Sequence, residues 1–165
     1  MNIVHKCTSL ILNILTIISV GLAIFSIILL IFDIKPFYVQ SGSMAPEMKV
    51  GSLAFINSKE TDFHVGDVVA FHPNGDESVT VTHRIHDVLE NGVYQTKGDA
   101  NSVEDVAKLN QNNIIGKYLF SVPNLGYVMA NRKQWMPFLA LVLISLIGLN
   151  YISANNTTDA EEVED

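Results

Sequence analysis

Residues 9 to 32, SLILNILTIISVGLAIFSIILLIF, carry no charge over 24 consecutive positions. At about 1.5 Å per residue a helix of that length reaches about 36 Å, enough to cross a hydrocarbon core of about 30 Å with some tilt. A secretory leader has a shorter apolar region, about 7–15 residues, followed by a small-residue cleavage site, and this run is too long for one. The stretch therefore predicts a retained transmembrane helix over 9–32, with residues 1–8 as a short cytoplasmic N-terminus. A chain tied to a bilayer in this way must fold the rest of its mass beside the membrane.

The remaining 133 of 165 residues contain a second uncharged run, MPFLALVLISLIGLNYIS, from Met136 to Ser153. Its 18 residues sit at the lower limit for a span. It predicts a second transmembrane helix near the C-terminus, with a buried or interfacial hairpin as the alternative. Residues 154–165 form an acidic, solvated tail, whose acids at 159, 161, 162, 164 and 165 account for five of the seven net negative charges. The rest of the chain is close to neutral, which argues against nucleic-acid binding. Cys7 is the single cysteine, so the middle region can form neither an internal disulfide nor a cysteine metal site. His5, Lys6 and the amino terminus favour a cytoplasmic N-terminal end, while Arg132 and Lys133 on the near side of the second run pull the other way. The first span usually dominates orientation, so residues 33–135 are expected on the extracytoplasmic side of a multi-pass membrane protein.

That middle region reads as mainly β. Short runs rich in Val, Ile and Phe, SLAFI (52–56), DVVAFH (67–72), SVTVTHRIHDVLE (78–90), GVYQTKG (92–98) and IIGKYLFSV (114–122), are separated by turn residues. In the third run Val79, Val81, His83 and Ile85 alternate with Thr80, Thr82, Arg84 and His86, so the two sets lie on opposite faces. Asn91-Gly92 between the third and fourth runs is a strong signal for a two-residue type I′ hairpin. With that turn, His83 faces Ala100 and Arg84 faces Asp99, and VTHRI neighbours KGDANSVED; a slip or bulge would change the partners.

Hydrolysis of an acyl bond needs a nucleophile, a base, a group that orients the base, and donors to a developing oxyanion. Ser41 and Ser43 lie in the loop SGSMAPEM just beyond the first span, and His83 lies on the apolar face of its strand. Asp99 and Asp105 lie in the segment paired with that strand. Each also has a plain structural reading: SGSM as a turn, His83 as a semi-buried histidine, Asp99 as an ion-pair partner for Arg84. In this register Asp105 is the freer of the two acids to fold back towards His83. His64, His72, His83 and His86 show no metal-binding spacing, and no metal or other cofactor is expected.

Taken in order, the N-terminal anchor and the motifs SGSMAPEM, GDVVAFH, VTHRI and KGDANSVED resemble the type I signal peptidases over roughly residues 36 to 127. A histidine where the common bacterial branch carries lysine makes the chain similar to the endoplasmic-reticulum and archaeal type, also found in some Gram-positive bacteria. The resemblance implies a small signal-peptidase-like β domain on a membrane anchor. It implies a serine endopeptidase that removes N-terminal signal peptides from translocated preproteins, in association with secretion machinery. It implies Ser43 as nucleophile, His83 as general base, Asp105 or Asp99 as the acid that orients the base, and Ser41 with the Ser43 N–H as oxyanion donors. The chain has SGSMAPE where relatives often have SGSMEPT, and GDAN for the frequent GDNN; the first change bears on substrate preference. Self-cleaving repressors of similar fold use a lysine base and a DNA-binding domain, which this chain does not match. The alternative from another class is a non-catalytic, membrane-anchored binding subunit of a processing complex.

Overall fold

The computed structural model describes residues 3–130 together with 143, 144 and 146–148. The chain divides into two compact units, one of residues Leu29–Asn131 and one of residues 1–28 and 132–165.

Helix α1 spans Ile3–Ile31, and its segment Leu10–Ile31 is long and apolar enough to cross a membrane. Helical hydrogen bonding satisfies every interior backbone group, which a lipid environment demands. Two of its hydroxyls turn inward too: Thr16 Oγ1 donates to the Leu12 carbonyl and Ser26 Oγ to the Leu22 carbonyl, each at 2.9 Å. The helix stops where Asp33 enters the left-handed region at φ 52°, a conformation that aspartate tolerates better than bulkier residues. Lys59 Nζ donates to the Ile31 carbonyl at 2.7 Å, placing a cation on the negative end of the helix. The second apolar run, 136–153, lies outside the described residues except for 143, 144 and 146–148, which are helical.

The larger unit is a six-stranded antiparallel sheet of β1 (Ile34–Tyr38), β2 (Leu53–Asn57), β3 (Val68–Phe71), β4 (Val81–Leu89), β5 (Val93–Lys97) and β6 (Ile114–Val122), in the order β1-β2-β6-β3-β4-β5. The short helix α2 (Leu125–Ala130) follows. Five of these strands match the apolar runs of the sequence. The sequence does not announce β1, IKPFY, because Lys35 and Pro36 interrupt the pattern. It forms at the sheet edge, where proline's missing N–H does no harm.

Central strand β3 is buried at all four positions. Val69 and Phe71 join Phe63, Ile85, Tyr94 and Leu109 in one cluster, and Val68 joins Met44, Met48 and Ala54 in another. Neighbouring residues of a strand point to opposite faces, so the two clusters lie on opposite sides of β3. The second cluster matters for the loop 39–52, since Met44 and Met48 are 2% and 1% exposed and anchor it from within.

The β4–β5 hairpin departs from the type I′ expectation in two steps. Its turn is a 3₁₀ turn over Glu90–Gly92 rather than a two-residue connection, so Leu89 pairs with Val93. A bulge between Ile85 and Asp87 then shifts the register by one more residue, so Ile85 pairs with Thr96 and Arg84 with Lys97. Because the two slips total two residues beyond the bulge, Arg84 and Ile85 and the β5 residues across from them keep their expected faces while their partners change. Arg84 thus faces Lys97 instead of Asp99, and the same register carried on would set His83 across from Gly98 rather than Ala100.

Candidate active site

His83 lies on β4 directly opposite Val69 of β3, and its side chain is 10% exposed. The ring packs edge-on to Phe71 at a centroid distance of 6.2 Å. Its Nδ1 is 2.6 Å from Asp105 Oδ2, so an ionised Asp105 holds the proton on Nδ1 and leaves Nε2 as the basic nitrogen.

Asp105 lies in the irregular stretch between β5 and β6, where no repeating ladder holds it. β5 holds it instead. Its N–H donates to the Thr96 carbonyl at 2.9 Å, and its carbonyl accepts from Gln95 Nε2 at 2.6 Å. Thr96 Oγ1 donates to Oδ2, also at 2.6 Å. Nothing in the sequence singles out Thr96 and Gln95, since QT reads as a routine polar pair in a short strand. The only available signal was that strand's position beside the histidine-bearing run.

Asp99 goes elsewhere. It forms a two-pronged pair with Arg84, Nε to Oδ1 at 2.9 Å and Nη2 to Oδ2 at 2.7 Å, reaching across the diagonal left by the shifted register. Arg84 Nη1 also donates to the Gly66 carbonyl at 2.8 Å, so one guanidinium ties the loop before β3 to the turn after β5. The hydrogen bond with Asp99 raises the Arg84 pKa above its ordinary value, burial works against this, and the charges of Asp99 and Glu47 add to the rise. At the start of β3, Asp67 pairs with Lys117 at 2.7 Å. Burial pushes the Asp67 carboxyl upward, but the bond and charge of Lys117 and the His64 N–H together hold it below the usual carboxylate range.

Ser43 is half-buried, beside the exposed Ser41 and Gly42. The two hydroxyls lie 3.2 Å apart. Ser43 is held through its backbone: its carbonyl accepts from the Ala100 N–H at 2.8 Å, and Met44 plugs into the core on its other side. Gly98 allows this approach, because a Cβ there would come within 2.7 Å of the Ser43 carbonyl oxygen. The backbone of Ser43 therefore rests on the turn that follows β5. Of the other histidines, His86 pairs with Glu104 at 3.3 Å, His64 with Asp62 at 3.7 Å, and His72 Nδ1 bonds the Val79 carbonyl at 2.8 Å. Among the described residues, no three His, Cys, Asp or Glu side chains gather as a metal site.

The chain thus combines an apolar helix long enough to cross a membrane with a small antiparallel domain that carries a His83–Asp105 pair and a loop with Ser41 and Ser43. Comparison with known proteins narrows this. Residues 10–88 match the family "Signal peptidase, peptidase S26". The chain is 36% identical over 119 residues to the signal peptidase complex catalytic subunit sec11 of Dictyostelium discoideum, covering 64% of this chain and 66% of that protein. It is 31% identical over 130 residues to the signal peptidase complex catalytic subunit SEC11 of Lodderomyces elongisporus, covering 71% and 76%. It is 36% identical over 91 residues to signal peptidase I W of Bacillus subtilis, covering 52% and 47%. The chain belongs to the peptidase S26 family and is a signal peptidase of type I.

Proposed function

We propose that this chain removes signal peptides from translocated preproteins by acyl transfer to Ser43, with His83 as general base and Asp105 as the acid that orients it. The observation that carries this reading is the 2.6 Å bond between His83 Nδ1 and Asp105 Oδ2. It leaves Nε2 to take the Ser43 proton as the hydroxyl attacks the scissile carbonyl, and to deliver that proton to the leaving amine. That amine is the new N-terminus of the mature protein, and water activated by the same base then hydrolyses the acyl-enzyme to release the signal peptide. Ser41 Oγ and the Ser43 N–H serve as donors to the oxyanion. Asp99, engaged by Arg84, supports the turn against which Ser43 rests.

The sheet offers a place for the substrate. Val81, Thr82 and His83 pair with β3 on one side, while β5 pairs with β4 only from Arg84 onward. On that second side no described strand pairs with Val81–His83, so an extended segment can add there beside the base. Signal peptides are cut after small residues, which suits a shallow seat next to Ser43. Ser43 lies eleven residues past Phe32, within about 40 Å of the bilayer even if fully extended, where the cleavage region of a preprotein emerges.

On this reading α1 anchors the enzyme, residues 136–153 form a second span, and residues 33–135 face the extracytoplasmic side. Two of the relatives are catalytic subunits of a signal peptidase complex, and we propose that this chain likewise works beside secretion machinery. The test is processing of a model preprotein by detergent-solubilised protein, wild type beside Ser43→Ala, with the product N-terminus read by mass spectrometry. A cut after a small residue, lost in the variant, is the expected result. A cut by both proteins removes Ser43 from the mechanism, and a cut by neither points to a binding subunit or a missing partner.

A further inference from the structure

We propose that Thr96 is a positioning residue for the reaction, fixing Asp105 in the arrangement that orients His83; this rests on the catalytic reading above. The carboxylate oxygen that accepts from His83 Nδ1 is the same oxygen that accepts from Thr96 Oγ1, both at 2.6 Å. The carboxylate cannot rotate about its Cβ–Cγ bond without losing both bonds at once. Thr96 is itself immobile: it is 0% exposed, and its β-branched side chain has few rotamers. Its backbone carbonyl also accepts the Asp105 N–H, so one residue grips both ends of the aspartate.

Asp105 needs that grip because the apolar residues beside it are not packed. The neighbours Val103 and Val106 are 72% and 100% exposed, so apolar packing does not set the course of the chain there. Both backbone polar groups and the carboxylate of Asp105 are instead bonded to Gln95 and Thr96 of β5.

The hairpin geometry is matched to this use. In the register at the turn, where Leu89 pairs with Val93, Thr96 would oppose His86 and point to the face away from His83. The bulge between Ile85 and Asp87 moves Thr96 opposite Ile85. Directly opposed residues share a face, and Ile85 shares its face with His83, so the bulge turns the Thr96 hydroxyl to the side of the base. A merely structural role at a fully buried strand position needs only the shape of the side chain, which valine reproduces. The hydroxyl is what the positioning role needs.

The experiment measures kcat and KM separately on a model preprotein with the full chain in detergent, for wild type, Thr96→Val and Thr96→Ser. Asp105→Asn, Ser43→Ala and the double variant Thr96→Val/Asp105→Asn run beside them. Thr96→Val is expected to lower kcat by about tenfold to 100-fold with KM nearly unchanged, the range typical when a partner orienting a reactive group is removed. Thr96→Ser keeps the hydroxyl and is expected to restore most of kcat. The double variant is expected to be no slower than Asp105→Asn alone, because two residues acting through one group are not additive. Wild-type kcat in Thr96→Val, with Ser43→Ala and Asp105→Asn inactive, overturns the proposal and leaves the catalytic reading standing. Equal losses in Thr96→Val and Thr96→Ser also overturn it, since packing would then be the cause. Full activity in Ser43→Ala or Asp105→Asn overturns the catalytic reading itself. Melting curves accompany each variant; if Thr96→Val melts early, Thr96→Ala against Thr96→Ser makes the same comparison at a temperature where both are folded.

Discussion

The loop that carries Ser43 turns Ser41, Gly42, Pro46 and Glu47 to water, whereas His83 and its partners on β5 are packed away, with Thr96 0% and His83 7% exposed. Two different kinds of bond hold these regions. Ser43 is held by its own carbonyl on the Ala100 N–H and by Met44 in the core, which leaves its hydroxyl unencumbered except by Ser41. His83 is held by side-chain bonds through Asp105 to Thr96, inside a site where few waters compete. On the proposed roles, a nucleophile has to meet a macromolecular substrate, so its position is set from behind, and a base has to keep one tautomer and one orientation, so its ring is set directly. The loop should therefore fail when its backbone support is disturbed, and the buried network should fail when a single hydrogen-bonding atom is lost.

The widest separation between the two regions is expected at the reactive atoms. Ser43→Ala should lower kcat by a factor on the order of 10⁴ to 10⁶ with the melting temperature unchanged, while Ser41→Ala should lower it by about 10²–10³, the usual loss for one oxyanion donor. Equal effects from the two serines would break the assignment of roles within the loop. Next come the two acids. Asp105→Asn should lower kcat by on the order of 10³–10⁴, because an amide cannot hold Nδ1–H in place. Asp99→Asn should lower it by less than about tenfold and act mainly on stability, as expected for a partly exposed ion pair. The reverse order, measured as kcat on one preprotein, would exchange the two aspartates.

Support from behind can be tested at Met44. Truncation to alanine should destabilise the domain by about 2–5 kcal/mol in urea unfolding, the usual range for a buried methionine. Activity should fall at temperatures where the fold survives. Thr96→Val, by contrast, should melt close to wild type. The smallest effect is expected at Asp67 and Lys117, remote from both regions in sequence. The folded Asp67 carboxyl titrates below its ordinary value of 3.8, so the pair contributes stability above that pH and loses it as pH falls through the folded value. Asp67→Asn should therefore destabilise by about 0.2–1 kcal/mol at pH 7 and by progressively less as the pH falls below 3.8, read from parallel urea curves.

Much of this was legible in the chain. The uncharged run at 9–32 marked α1 because no side chain in it resists lipid, and the Val- and Ile-rich runs marked five of the six strands. β1 escaped because the proline and lysine that suit an edge strand also hide it. The candidate site was legible as a set of residues and only partly as a geometry. The sequence pattern singles out Asp105 as the freer acid through a register that the hairpin does not adopt. The reading and the fold agree on faces because the 3₁₀ turn and the bulge cancel in parity. Thr96, Gln95 and Met44 were not legible as site residues, since each supports the site through contacts that no local pattern reveals.

The sequence by itself determined a chain with an apolar helix at one end, alternating strands in the middle, and the serine, histidine and aspartates of a hydrolase in their motifs. These are local properties: charge along a run, period along a strand, residue type within a loop. Only the tertiary structure decided that Asp105 rather than Asp99 lies on His83, that Arg84 takes Asp99, that Thr96 grips the first acid, and that Gly98 lets Ser43 rest at the end of β5. The reason is the two-residue period of a strand. A slip of one position reverses every side chain, and where the slips occur is settled by packing Ile85, Tyr94 and Leu109 into a core with residues distant in sequence.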